Sequence, residues 1–223
     1  VADRAPAFAS VVLDVDSTLC GIEGIDFLAS RRGAAVGQEI AALTERAMRG
    51  EIPLESVYGR RLTIIEPTRS DIAALADAYE QSVAPGAPEA IAALRGCGVR
   101  VALVSGGIRQ AIEPAARSLG FAPEDLAAVS LSFDRDGNYA GFDGQSPLTT
   151  QAGKPEILKW LLAESRLVRP VLAVGDGSTD VPMAEVADTF AAYTGFARRA
   201  NVVARAAFEI ASFAELRQRI LSA

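Results

Sequence analysis

Hydrophobic and polar positions follow two different periods along this chain. Residues 11–19 read VVLDVDSTL, where Val11, Val12 and Leu13 form a continuous apolar run that stops at Asp14. A short run of that kind suits a strand buried on both faces of a parallel sheet. Residues 23–82 contain no comparable run. Val36, Ile40, Leu43 and Ala47 recur at helical spacing instead, as do Ile72, Leu75 and Tyr79. Gly33, Gly50-Glu51-Ile52-Pro53 and Glu66-Pro67-Thr68 punctuate this segment. It is expected to form three or four short helices packed as a small bundle.

After Pro85-Gly86-Ala87-Pro88 the pattern alternates. Helices are predicted over 88–97, 108–119, 155–164 and 213–221. Strands are predicted over 99–104, 129–133, 171–174 and 190–193, and Asp136-Gly137-Asn138 reads as a turn between two short extended runs. Strand–helix alternation predicts an α/β fold, a parallel sheet with helices on both faces. The helical segment interrupts that alternation. The expected organisation is therefore a core of residues 1–20 and 84–223 and an inserted helical cap of residues 21–83.

Composition narrows the function classes. The 223-residue chain carries a net charge of -6, which disfavours nucleic acid and anionic membranes as partners. There is no uninterrupted apolar stretch long enough to span a membrane. The N-terminal VADRAPAFAS lacks a basic segment followed by an apolar run, so no signal peptide is expected. Cys20 and Cys97 lie far apart without metal-like spacing. They read as small buried hydrophobes in a reducing compartment, which makes a cytoplasmic location the expectation. Histidine is absent, and with it any Ser-His-Asp or Cys-His nucleophile system. Proton transfer falls to Asp, Glu, Lys, Cys or Tyr. A metal held by side chains would see oxygen ligands, which points to Mg²⁺.

Four short stretches carry candidate chemistry. Asp14 and Asp16, two residues apart at a strand end, would project to the same side. Two carboxylates so placed repel unless a cation or proton lies between them. Ser105-Gly106-Gly107 follows the strand at 99–104 and offers backbone N–H groups to an anion. Lys154 begins a helix, where a cation is unfavourable without an anionic partner. Gly175-Asp176-Gly177-Ser178-Thr179-Asp180 supplies two further carboxylates after the strand at 171–174. In a parallel sheet, strand ends of this kind share one edge. Four carboxylates, one lysine and an anion nest suit Mg²⁺ together with a phosphoryl group.

The same residues carry a family resemblance over nearly the whole length. DVDST at 14–18, EGID at 23–26, RAM at 46–48, RL at 61–62, SGG at 105–107, Arg109, YAGFD at 139–143, GK at 153–154 and GDGSTD at 175–180 occur in order. The chain thereby resembles the haloacid dehalogenase superfamily, and within it the phosphoserine phosphatase family. The resemblance implies a Rossmann-like core and a Mg²⁺-dependent hydrolase acting on O-phospho-L-serine, the last step of serine biosynthesis, with a homodimer as one assembly. It implies Asp14 as nucleophile and Asp16 as general acid and then base. Ser105, Gly106, Gly107 and Lys154 would hold the phosphoryl oxygens, and Asp14, the backbone carbonyl of Asp16 and Asp176 the metal. Asp180 would support that shell and orient Lys154, with Thr179 near the substrate. Glu23 would face the ammonium of phosphoserine and Arg61 its carboxylate, with Met48 lining the pocket. Ile22 and Arg49 depart from the family pattern at the pocket rim, as does Pro182 after the fourth motif. The nearest alternatives are the same chemistry on another small phosphomonoester, phosphoryl transfer to a second hydroxyl, and a non-hydrolytic phospho-acceptor or binding protein.

Overall fold

Strand β1 (Ser10–Leu13) sits in the middle of the sheet because nothing on it needs water. All four residues have no exposed surface, and the one polar member, Ser10, exchanges hydrogen bonds with the Val168 backbone at 2.7 and 2.8 Å. In the computed structural model, which describes residues 5–49 and 51–222, β1 pairs in parallel with β2 (Arg100–Ile108) on one side and β6 (Val171–Gly175) on the other. With β3 (Leu126–Val129), β7 (Thr189–Tyr193) and β8 (Phe208–Ile210), the order is β3-β2-β1-β6-β7-β8, all parallel. Helices α5 (Ala87–Gly96), α6 (Arg109–Ser118), α7 (Gly153–Ala163), the short α8 (Ala200–Val203) and α9 (Phe213–Leu221) complete this α/β unit, with α5 packed on α9. The predicted α/β class, with its parallel sheet, is the observed one.

Four helices lie between β1 and α5: α1 (Gly24–Ser30), α2 (Ala34–Met48), α3 (Leu54–Ile65) and α4 (Arg69–Gln81). Helix α1 touches the other three, and α4 packs extensively on α6 of the sheet layer. The α3–α4 junction shows how the sequence sets the boundary. Glu66 ends α3 in the left-handed region (φ 44°), and Pro67 cannot continue the helix. Thr68 then caps α4: its hydroxyl accepts from the Asp71 N–H at 3.3 Å, and Asp71 accepts from the Thr68 N–H at 3.0 Å. No helix among the described residues is long and apolar enough to cross a membrane.

Three expectations are corrected. Strand β2 runs on to Ile108, so Ser105-Gly106-Gly107 forms an extended, bulged strand end and not a strand-to-helix turn; the β2–β3 register shifts between Val104 and Ile108. The single strand predicted over 129–133 is two. Strand β3 belongs to the sheet, whereas β4 (Leu131–Phe133) leaves it to form an antiparallel hairpin with β5 (Tyr139–Phe142). Strand β8 and helix α8 are too short to leave a periodic signature. Cys20 is buried as expected, but Cys97 is exposed, because it caps the C-terminal end of α5 at the surface.

Candidate active site

The sheet register brings the motifs together. Leu13 pairs with Leu103 and with Val174, so Asp14, Ser105 and Asp176 follow neighbouring rungs at the C-terminal edge. That edge, where the strand order reverses around β1, is the ligand-binding side of open α/β sheets. Asp14 is pinned there by its own N–H, which donates to the Val174 carbonyl at 3.0 Å. One cavity is lined by Asp14, Asp16, Glu23, Arg61, Ser105, Gly106, Gly107, Lys154 and Thr179. Each of these was singled out from the sequence. Asp176 and Asp180 are buried beside it. The side chain of Met48 lies outside the described residues.

Lys154 is the hub of the charge arrangement. Its Nζ lies 2.7 Å from Asp14 Oδ1 and 2.6 Å from Asp180 Oδ1, with all three side chains buried. As the second residue of α7 it works against the helix dipole. Burial also opposes its charge, but Asp14 and Asp180 outweigh both effects and raise its pKa above the usual lysine range. Asp180 Oδ2 accepts from the Gly177 N–H at 2.9 Å. Gly175 makes room for that carboxylate, since a Cβ there would lie 2.1 Å from Asp180 Cγ. Burial and the Asp180 charge push the Asp14 carboxyl up to about 7, against the pull of Lys154. Burial, and next the Asp14 charge, push Asp16 up to about 7 as well. A carboxyl so raised is part-protonated near neutral pH, and at Asp16 that proton is available for donation.

Asp14, Asp176 and Asp180 each place an oxygen so that all three lie within 4.8 Å of one another. A donor set made only of carboxylate oxygens fits a hard divalent cation. Asp180 shares this cluster while its Oδ1 holds Lys154. Asp176 is held by Thr18, whose hydroxyl donates to Oδ1 at 3.0 Å, and by Arg199, whose guanidinium contacts Oδ2.

The helical segment contributes the other half of the cavity. Glu23, immediately before α1, accepts from the Ser17 hydroxyl at 2.7 Å. Burial, and then the Asp16 charge, raise its pKa to about 7. Arg61 on α3 is 4% exposed. Its Nη1 donates to Thr44 Oγ1 at 2.9 Å, and that hydroxyl donates onward to Asp26 at 2.6 Å. Burial lowers the Arg61 pKa, countered by Tyr58 and Asp26. Its Nε is buried with no hydrogen-bond partner among the described residues. A buried N–H in that state costs about 1–3 kcal/mol until an acceptor reaches it.

Sequence reasoning missed several residues of this site. Tyr58 lines the cavity and donates to the Gly106 carbonyl at 2.8 Å. Thr44 joins Arg61 to Asp26, and Arg199 lies 3.6 Å from Glu23 while contacting Asp176. Tyr79 reads correctly as a core position of a helix, but nothing in its spacing shows that its hydroxyl meets Asp16.

Comparison with known proteins gives this geometry a context. A profile of haloacid dehalogenase-like hydrolases matches residues 11–185. The chain belongs to this family. It is 36% identical to the chloroplastic phosphoserine phosphatase of Arabidopsis thaliana over 209 residues, 93% of this chain and 70% of that protein. It is 35% identical to phosphoserine phosphatase of Homo sapiens over 207 residues, 93% of this chain and 91% of the human protein. The solved structure of a phospho-aspartyl intermediate analogue of phosphoserine phosphatase matches with a TM-score of 0.79 at 27% identity, covering 95% of this chain and 98% of that one. The family resemblance read from the motifs is therefore borne out, and haloacid dehalogenase-like phosphatases use a metal ion, for which the buried acidic cluster offers ligands.

Proposed function

We propose that this protein is a phosphoserine phosphatase, hydrolysing O-phospho-L-serine to L-serine and phosphate. The observation that carries the reading is that Glu23 and Arg61 line the same cavity as Asp14, with the Arg61 Nε buried and unpartnered. A zwitterionic amino acid needs one anion and one cation at fixed places, and a guanidinium can grip both oxygens of a carboxylate. The Arabidopsis thaliana and Homo sapiens relatives, both above 30% identity, are phosphoserine phosphatases by name.

In this reading Asp14 attacks phosphorus. An Asp14 oxygen–phosphorus bond forms as the ester oxygen–phosphorus bond breaks, and the Asp16 proton passes to the departing serine oxygen. Asp16, now ionised, takes a proton from a water whose oxygen attacks the aspartyl-phosphate. Phosphate leaves and the Asp14 carboxylate is restored. Dividing the displacement through a covalent intermediate lets one carboxyl act first as acid and then as base. Ser105, the Gly106–Gly107 backbone and Lys154 would hold the phosphoryl oxygens, with Thr179 beside the substrate. We assign the metal as Mg²⁺, which Asp14, Asp176 and the Asp16 carbonyl would hold, with Asp180 adjoining. When bound, it supplies charge neutralisation between an anionic nucleophile and an anionic phosphate. Residues 21–83 would act as the cap that reads the substrate, while 1–20 and 84–223 carry the chemistry.

The test is phosphate release from L-phosphoserine, with Mg²⁺ and with excess EDTA, beside phosphothreonine and a panel of sugar phosphates. Mg²⁺-dependent turnover that strongly prefers phosphoserine is expected. Turnover on the other esters but not on phosphoserine would leave Asp14 and Asp16 in their roles and discard the substrate.

A further inference from the structure

One buried hydroxyl is aimed at the reacting groups without reaching the cavity. Tyr79, on α4, has no exposed surface, and its Oη lies 2.5 Å from Asp16 Oδ1. It does not line the cavity that Asp16 lines. Two glycines from other parts of the chain leave space for it. A Cβ on Gly24 would lie 2.2 Å from the Tyr79 Oη, and one on Gly107 would lie 3.3 Å away. Gly24 is the first residue of α1 and takes no left-handed conformation, so close approach of the hydroxyl is the reason for a glycine there. The scaffold behind Tyr79 is firm, since α4 packs on both α1 and α6.

We propose that Tyr79 is a positioning residue for Asp16 in the reaction assigned above, on whose reading the inference rests. A phenol donating at 2.5 Å fills Oδ1 as an acceptor and fixes the rotation of the carboxyl. The other oxygen receives only a long contact, 3.3 Å from the Gly24 N–H. The transferable proton therefore belongs on Oδ2. Tyr79 touches no reacting atom; it decides which oxygen of Asp16 serves as the acid and where that oxygen points.

The role has a signature that loss of packing lacks. Serine leaves as a strongly basic alkoxide and needs the acid, whereas p-nitrophenolate is a far weaker base and leaves with little help. The ratio kcat/KM reports events through the phosphorylation step, so slow hydrolysis of the intermediate does not mask the difference. We expect Tyr79→Phe to lower kcat/KM about ten-fold on phosphoserine and alike on a simple alkyl phosphate without the amino-acid groups, a modest part of a general acid's usual contribution, and by at least five times more than on p-nitrophenyl phosphate. A bias confined to phosphoserine would mark lost substrate reading and overturn the role. Gly24→Ala keeps the phenol but evicts its hydroxyl, and is expected to show the same bias should Tyr79→Phe fail to fold. Equal losses on phosphoserine and p-nitrophenyl phosphate, or no loss on either, would overturn the role. Should the wild-type enzyme prefer another alkyl phosphate, the same comparison on that ester tests Tyr79 while the substrate assignment alone falls. A wild-type protein with no turnover on any ester overturns both.

Discussion

Lys154 Nζ lies 2.6 Å from Asp180 Oδ1, with the two side chains 6% and 0% exposed. Removing either partner strands a charge out of water, which costs about 3–5 kcal/mol. Lys154→Ala leaves Asp14 and Asp180 facing each other without a cation. We expect it to lower kcat at least a hundred-fold, in the range found when a single electrostatic stabiliser is lost. The variant is also expected to unfold at a lower temperature than wild type in EDTA and to recover part of that loss in Mg²⁺. Thermal melts under both conditions check this. Equal melting temperatures for variant and wild type in EDTA would show that Lys154 with Asp14 and Asp180 is not a stabilising unit.

Arg61→Ala tests substrate reading. The buried guanidinium is tied on one side to Thr44 and Asp26, and its Nε has no partner. Loss of a charged hydrogen-bonding group that faces a substrate carboxylate costs about 2–4 kcal/mol, or roughly 30- to 1000-fold in kcat/KM. That loss is expected on phosphoserine, with a much smaller one on p-nitrophenyl phosphate, which has no carboxylate. Thr44→Val should show the same selectivity at about ten-fold, because Arg61 keeps its charge and loses one anchoring acceptor. Steady-state kinetics on the two esters settle it, and equal losses on both would remove Arg61 from substrate recognition.

The contrast between Arg61 and Thr44 shows what the sequence makes legible. Asp14, Ser105 and Asp176 could be placed at one edge because buried apolar runs precede them and parallel strands share a direction. Lys154 could be placed because a cation at a helix start asks for an anion. Thr44, Tyr58 and Tyr79 occupy positions whose periodicity says only that they face a helical core, and all three are indeed buried. What their hydroxyls bond depends on how α2, α3 and α4 pack, which no local pattern encodes. Arg199 arrives from beyond β7, in a stretch of short elements with little periodicity. The motif edges blurred for a similar reason: the bulge that extends β2 through Gly106 and Gly107 is a tertiary accommodation, so local reading ended the strand early.

Asp71 anchors a different kind of prediction. Burial opposes its charge. Hydrogen bonds from Arg32, the Thr68 N–H and Arg31 outweigh that and hold the carboxyl well below its usual range. A carboxylate depressed in the folded state contributes stability above its unfolded pKa and loses it as pH falls through the folded value. The contribution is therefore complete above about pH 5 and fades below about pH 4. Asp71→Ala removes the side chain that accepts from the Thr68 N–H at the start of α4, together with both ion pairs, and should cost about 2 kcal/mol at pH 7. Urea unfolding of wild type and variant is expected to differ at pH 7, and the difference to shrink steadily as the pH falls from about 4 toward about 2. A constant difference across that range would mean the loss comes from packing and not from charge.

The site itself has the opposite pH dependence. Burial raises Asp14, Asp16 and Glu23 to about 7, with the neighbouring carboxylates adding to it. A carboxyl raised in the folded state contributes stability that is complete below its unfolded pKa, near 4, and is lost as pH rises through its folded value. Metal-free protein should therefore be more stable at pH 5 than at pH 8, the loss running through pH 7. A divalent cation at the acidic cluster would need the ionised carboxylate of Asp14, so its affinity and its stabilisation are expected to grow over the same interval. At a free concentration of 100 times its Kd, Mg²⁺ would add about 2.7 kcal/mol. For a chain of this size that is roughly a 5–10 °C rise in Tm. We expect that rise at pH 8, a smaller one at pH 6, and almost none at either pH in Asp176→Asn. Melting temperatures measured with Mg²⁺ and with EDTA at the two pH values test all three. A shift of the same size at both, or one that survives Asp176→Asn, would place the cation away from the acidic cluster at the ends of β1 and β6.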